Sequence, residues 1–144
     1  MRRHLGPLVV GHTLAHRLGD GIELVVESLQ HVGRTGWGDM AILFANWKIM
    51  DLCADALHQR KLPFNVSTRS GDYNPAAGAI QIMTMKVSKG LEFPVVALPG
   101  VGYMPAAGED EQEAARVFYV AATRATQRLM IGVSGDGGYR RRLE

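Results

Sequence analysis

At 144 residues, with 47% apolar and 21% charged side chains, the chain has the size and composition of one globular domain built on a single core. Sixteen basic against fourteen acidic side chains give a formal charge of +2, which permits nucleic acid as a partner without requiring it. The single cysteine, Cys53, excludes an internal disulfide and a cysteine-cluster zinc site, so a reducing, cytoplasmic setting is expected. No apolar run approaches membrane-spanning length, and Leu8-Val9-Val10 is too short for the apolar part of a signal peptide. The chain also lacks GxxxxGK[ST], the loop that cradles nucleotide phosphates, and any acidic strand end suited to magnesium. Nucleotide chemistry involving this chain therefore needs those parts from elsewhere.

In chain order, residues 1–19 are broken by glycines at positions 6, 11 and 19 and read as a loose leading segment holding at most one short strand or helix. Asp20 opens a helix with Glu23 completing a capping box; Ile22, Val25, Val26, Leu29 and Val32 form its apolar stripe and Gly33 closes it. A turn at 36–39 precedes a strand, Met40 to Phe44. A helix from Lys48 to Arg60 turns Ile49, Met50, Cys53, Ala56 and Leu57 inward, and a short strand runs from Pro63 to Val66. Residues 67–78, rich in Ser, Gly, Asn and Pro, read as loop.

The stretch from Ala79 to Gly100 organises the rest. It holds a strand ending near Thr84, a polar turn over Lys86-Val87-Ser88-Lys89-Gly90, and a second strand, Phe93 to Leu98, stopped by Pro99-Gly100. A loop to Gly108 leads into a last helix over Glu109 to Thr126, acidic at its start and basic at its end. A strand from Leu129 to Val133 and a basic tail with Arg140-Arg141-Arg142 complete the chain. Strands alternating with helices predict an α/β fold with a mainly parallel sheet flanked by helices. The division expected is a leading segment at 1–19, the domain at 20–134 and the tail at 135–144.

Ligands of open α/β sheets bind outside the carboxyl ends of strands, so the polar turn is the first candidate site. Lys86, Ser88 and Lys89 suit a phosphate backbone, and Glu92 between Leu91 and Phe93 suits a ribose hydroxyl. The commoner roles for such residues are solvated lysines and an edge salt bridge. Arg124 is the sharpest single candidate. Its short neighbours, Ala121-Ala122-Thr123 and Ala125, leave a guanidinium free to reach phosphate. The commoner role is solvation, or pairing with a helix end. Arg116 suits pairing with Glu113 or Glu109, Trp47 and Tyr103 could stack on bases or pack in the core, and the histidines show no metal-ligand spacing.

Two segments together resemble superfamily 1 helicases of the UvrD/Rep type. Thr84-Met85-Lys86-Val87-Ser88-Lys89-Gly90-Leu91-Glu92-Phe93 resembles the TxHxxKGLEF signature of motif V, and Arg116-Val117-Phe118-Tyr119-Val120-Ala121-Ala122-Thr123-Arg124-Ala125 resembles motif VI. Ala41 to Leu57 looks like motif IV and its helix. The resemblance covers about residues 39–134. It implies a RecA-like second motor domain, with ATP and Mg2+ held mainly by a first motor domain that owns the phosphate loop. It further implies that Arg124 reaches the γ-phosphate, that Gly90 and Glu92 belong to the nucleotide site with Glu92 on the sugar, and that Thr84, Lys86, Ser88 and Lys89 touch single-stranded DNA. Three departures stand out. The motif V histidine is Lys86, the motif IV arginine is Ala45 with Lys48 as a shifted substitute, and the large domain usually inserted between motifs IV and V is absent or replaced by the stretch from Lys61 to Ala79.

The expected function is the C-terminal motor half of an ATP-dependent 3′-to-5′ DNA helicase or translocase, for instance in DNA repair. Its partners are single-stranded DNA and the first motor domain, with no membrane involved. The alternative is a degenerate helicase-like domain that binds nucleic acid or protein without motor activity.

Overall fold

The computed structural model describes residues 9–15, 36–45, 47–69, 78–99, 101, 104 and 108–134. The expected helix at 20–33, the tail at 135–144 and Tyr103 lie outside the described residues. Six strands form one sheet: β1 Val9–Ala15, β2 Met40–Phe44, β3 Phe64–Val66, β4 Ile80–Thr84, β5 Phe93–Leu98 and β6 Ala125–Ser134. Their order across the sheet is β1-β6-β5-β2-β4-β3, and every pairing is parallel. Among the described residues, two helices, α1 Trp47–Gln59 and α2 Glu111–Ala122, cover the two faces.

Three layers follow from the alternation along the strands. Met40, Ile42 and Phe44 of β2 point to the face packed by Ile49, Cys53, Ala56 and Leu57 of α1. Ala41 and Leu43 point to the other face, where Ala114 and Ala121 of α2 are buried and Val117, Phe118 and Ala122 pack at the margin. Every residue of β2 is buried, as expected of a central strand covered on both sides. The inward face of α1 matches its sequence stripe, with Met50 only partly buried.

The termini of α1 and α2 depart from expectation for identifiable reasons. The chain leaves α1 by donating Lys61 N–H to His58 O and Leu62 N–H to Leu57 O, both at 3.0 Å, with Lys61 at φ +57°. This is a Schellman ending with lysine where glycine is usual. Asp110 caps α2 by accepting from Gln112 N–H at 2.9 Å, so Glu109 falls outside the helix. At its other end α2 stops at Ala122, four residues earlier than the alanine-rich sequence suggests. Ala125 pairs with Phe93 instead, and β6 begins there rather than at Leu129. Sheet pairing outweighs the high helix propensity of Ala125.

Within the leading segment, Val9–Ala15 is a strand paired along its length with β6, so the sheet takes in residues before position 20. One irregularity marks the centre. Between Phe93 and Val95 the register slips, because Ala125 and Arg128 span one residue more than their partners. Pro94 sits at this bulge, where a residue with no N–H to give the ladder is tolerated.

Candidate functional site

The segment joining β4 to β5 sets the geometry. Thr84, the last residue of β4, is level with Phe44 at the carboxyl end of β2. Val95 is level with Met40, the first residue of β2, so Phe93 lies at the amino edge of the sheet. Residues 85–92 therefore run from one edge of the sheet to the other. The expectation of one ligand loop outside a strand's carboxyl end is corrected to two groups at opposite edges.

At the carboxyl edge, the turn is fixed by its own hydrogen bonds. Val87 N–H donates to Thr84 Oγ1 at 3.2 Å, and Ser88 N–H donates to Thr84 O at 3.3 Å. Ser88 Oγ donates to Met85 O at 2.6 Å, and Leu91 N–H to Ser88 O at 2.9 Å. Ser88 is fully buried, so its hydroxyl serves the turn and faces away from solvent. Gly90 has φ +86°, a conformation that side-chain-bearing residues rarely adopt, and its missing Cβ would meet nothing within 4 Å. Glycine is thus required by backbone shape and not by crowding. Lys86 and Lys89 are exposed and Thr84 is half-buried.

Beside this turn lies a cleft of ≈ 370 Å³. Thr84, Lys86 and Thr68 stand on one side of its chemistry and Glu109 and Glu113 on the other, with Ala45 also lining it. Apolar atoms of Met85, Val87, Met104 and Val117 complete the lining. Lys86 and the two glutamates, of which Glu113 pairs with Arg116, give the cleft a mixed charge. Ala45, the residue in the place of an arginine, presents no charge. The side chains of Lys48 and Trp47 lie outside the described residues.

At the amino edge, Arg124 and Glu92 come together. Phe93 N–H donates to Arg124 O at 2.9 Å, and Arg124 Nη1 donates to Leu91 O at 3.3 Å, so Arg124 grips the residues on either side of Glu92. Glu92 itself is exposed. Arg124 Nε donates to Val120 O at 2.9 Å, an end carbonyl of α2, and Nη2 donates to Thr123 Oγ1 at 3.2 Å. The helix-end role weighed for this arginine is therefore present. A guanidinium has five N–H donors, and these bonds use three. One N–H remains on each terminal nitrogen. Arg116 pairs with Glu113 at 3.6 Å between exposed side chains, a contact of little energetic weight. Sequence reasoning missed Thr123 and the Leu91 carbonyl as partners of Arg124. Thr123 directly precedes the arginine in the sequence, but the helix end that aims its hydroxyl was misplaced.

Among the described residues, no three His, Cys, Asp or Glu side chains gather as a metal site would need. No helix among them is long and apolar enough to cross a membrane.

Residues 67–135 match the model of the UvrD-like helicase C-terminal domain family. Among solved structures, the chain is similar to the C-terminal domain of a possible DNA helicase from Lactobacillus plantarum WCFS1. That likeness has a TM-score of 0.69 at 18% identity and covers 96% of this chain and 80% of the other. It supports a RecA-like α/β fold. No curated protein matches the chain.

Proposed function

We propose a motor role for this chain, whose residues 67–135 match the UvrD-like helicase C-terminal domain family: it is the C-terminal half of an ATP-dependent DNA helicase or translocase. The observation that carries this reading is the placement of Arg124 beside Glu92 at one edge of the sheet, through its bonds to Leu91 and Phe93, while Lys86 and Lys89 stand on the segment that leads to the other. Two ligands are served by one rigid connection.

The described residues do not gather donors for Mg2+, and the sequence has no phosphate loop, so both ATP and its metal fit a site held mainly by a first motor domain. Bound there, ATP supplies the transferable phosphoryl group and Mg2+ neutralises part of its charge. Arg124 contributes its two remaining N–H groups toward the γ-phosphate, where a fixed cation stabilises the charge that develops on transfer. Glu92 accepts a sugar hydroxyl. Gly90 allows the turn that sets Glu92 at the edge. At the other edge Thr84, Lys86 and Lys89 contact the backbone of single-stranded DNA, with Ser88 acting through the shape of the turn. Closure of the cleft between the two motor domains then shifts the DNA contact, giving stepwise 3′-to-5′ movement.

The test is to combine this chain with a first motor domain that carries a phosphate loop, and to measure DNA-stimulated ATP turnover. Arg124→Ala should lower turnover by roughly 10³-fold or more while DNA affinity is kept. An unchanged turnover would remove Arg124 from the mechanism. A second reading, a degenerate module that binds nucleic acid or protein, is favoured by Ala45 in the place of a charged residue. It predicts DNA binding by this chain with no turnover in any reassembled enzyme.

A further inference from the structure

We infer that Thr123 is a positioning residue for Arg124, an inference that rests on the motor reading above for its consequence but not for its geometry. Thr123 closes α2 at φ −84° and ψ 1°, just outside the helix. There its Oγ1 lies 2.9 Å from Tyr119 O and 3.0 Å from Val120 O, so its one proton is donated back into the last turn. Donating fixes the rotamer and turns the oxygen's lone pairs outward. One of them accepts from Arg124 Nη2 at 3.2 Å.

The guanidinium is thereby held at three points. Val120 O takes Nε–H, Thr123 Oγ1 takes an N–H of Nη2, and Leu91 O takes an N–H of Nη1. Two of the three acceptors are backbone carbonyls fixed by the helix end and by the segment between β4 and β5. Only the third is a side chain that substitution can remove. A planar fork bonded along both arms cannot swing about its long stem, and it keeps one N–H per terminal nitrogen for a phosphate oxygen. Thr123 thus acts on a phosphate through Arg124 and touches no ligand itself. Pre-fixing a cation where charge develops is worth more than supplying a mobile one, because no reorganisation is then needed during the reaction.

Three substitutions separate this role from simple packing. Thr123→Val keeps the branched shape and loses the hydroxyl, Thr123→Ser keeps the hydroxyl and loses the methyl, and Thr123→Ala loses both. The direct readout is nuclear magnetic resonance of the Arg124 Nε–H group and its terminal nitrogens in this chain, with no nucleotide present. Thr123→Val should lower the order of the Nε–H bond vector and speed rotation of the terminal nitrogens, and Thr123→Ser should restore both. If Thr123→Val does not fold, Thr123→Ala carries the same expectation. An Arg124 side chain as ordered in the valine or alanine variant as in the wild type overturns the inference, as does a serine variant as loose as the valine one. In the reassembled enzyme, Thr123→Val should cost about two- to tenfold in turnover at unchanged KM for ATP, with rescue by serine. Turnover insensitive to Arg124→Ala would defeat the motor reading and leave the resonance result to decide the positioning role by itself.

Discussion

Arg124 and Leu91 stand 33 residues apart in sequence and are joined by a hydrogen bond of 3.3 Å from the guanidinium to the backbone carbonyl. The return contact, Phe93 N–H to Arg124 O at 2.9 Å, closes a clasp around Glu92. The family resemblance sees two separate motifs in these residues. The fold makes them one unit, in which the arginine is both a candidate phosphate ligand and a structural tie.

Arg124→Lys and Arg124→Ala should consequently lower stability as well as turnover. Three hydrogen bonds from a half-buried charged donor to fixed acceptors are worth about 1–2 kcal/mol after allowance for solvent. For a chain of this size that is a fall of about 2–8 °C in Tm. Lysine cannot reproduce the two-armed geometry, so it should lose nearly as much as alanine. Thermal unfolding of the two variants checks this, and a Tm within 1 °C of wild type for both would show the clasp to be energetically idle.

Ser88 and the neighbouring lysines should separate cleanly. Ser88→Ala removes a fully buried donor at 2.6 Å and leaves the Met85 carbonyl without it, at a cost of about 1–3 kcal/mol in stability. Lys86→Ala and Lys89→Ala, both exposed, should leave stability within about 0.5 kcal/mol. On single-stranded DNA the lysine variants should each reduce the salt slope by about one unit, and Ser88→Ala should leave it unchanged. Titrations at several salt concentrations would decide. A slope altered by Ser88→Ala but not by the lysines would place the DNA elsewhere.

Much of the fold was readable because apolar runs bounded by turn signals are unambiguous for β2, β4 and β5, and a five-residue stripe at helical spacing defines α1. The end of α2 was not, since Ala125 and Thr126 continue an alanine-rich run and only the pairing of Ala125 with Phe93 takes them into a strand. Within the site, Arg124, Glu92 and Lys86 could be singled out by residue type. Their separation to opposite edges could not, because it depends on the direction in which residues 85–92 travel. Ser88 looked exposed in a run of polar residues. Its hydroxyl is satisfied three residues back along the chain, and composition does not register a local bond of that kind.

Lys61→Gly should stabilise the chain. Lys61 sits at φ +57°, where a Cβ costs roughly 1–2 kcal/mol, while glycine adds unfolded-state entropy worth somewhat less. A gain of about 0.5–1 kcal/mol is expected in chemical denaturation, with the Leu62 N–H to Leu57 O bond kept. A loss of stability would mean that the lysine side chain contributes something the helix ending does not explain.

Cys53 should be chemically silent and should weaken the fold at high pH. Burial pushes its thiol up from 9.0 to about 12. Well below pH 9.0 the thiol is protonated in both states and contributes no pH dependence. Above it the unfolded thiol ionises while the folded one keeps its proton, so stability falls as pH rises toward 12, with a slope approaching about 1.4 kcal/mol per unit. Comparison of the alkaline limb with that of Cys53→Ala isolates this share, and labelling by a thiol reagent at neutral pH should proceed only as fast as the protein opens. Rapid labelling of the native chain would contradict a closed α1 face.

The connection between β4 and β5 has a mechanical consequence. A tether with slack absorbs movement at one end in its own bending. Residues 84–91 are tied together by five local hydrogen bonds and pinned to the core by Met85, Val87 and Leu91, so they behave as a strut. Push on the turn that carries Lys86, and the displacement arrives at Glu92 and, through the clasp, at Arg124. Stiffness of this kind sends force equally well in the reverse direction, from the arginine back to the lysine, which is the property the proposed motor role would demand of the part between its two grips.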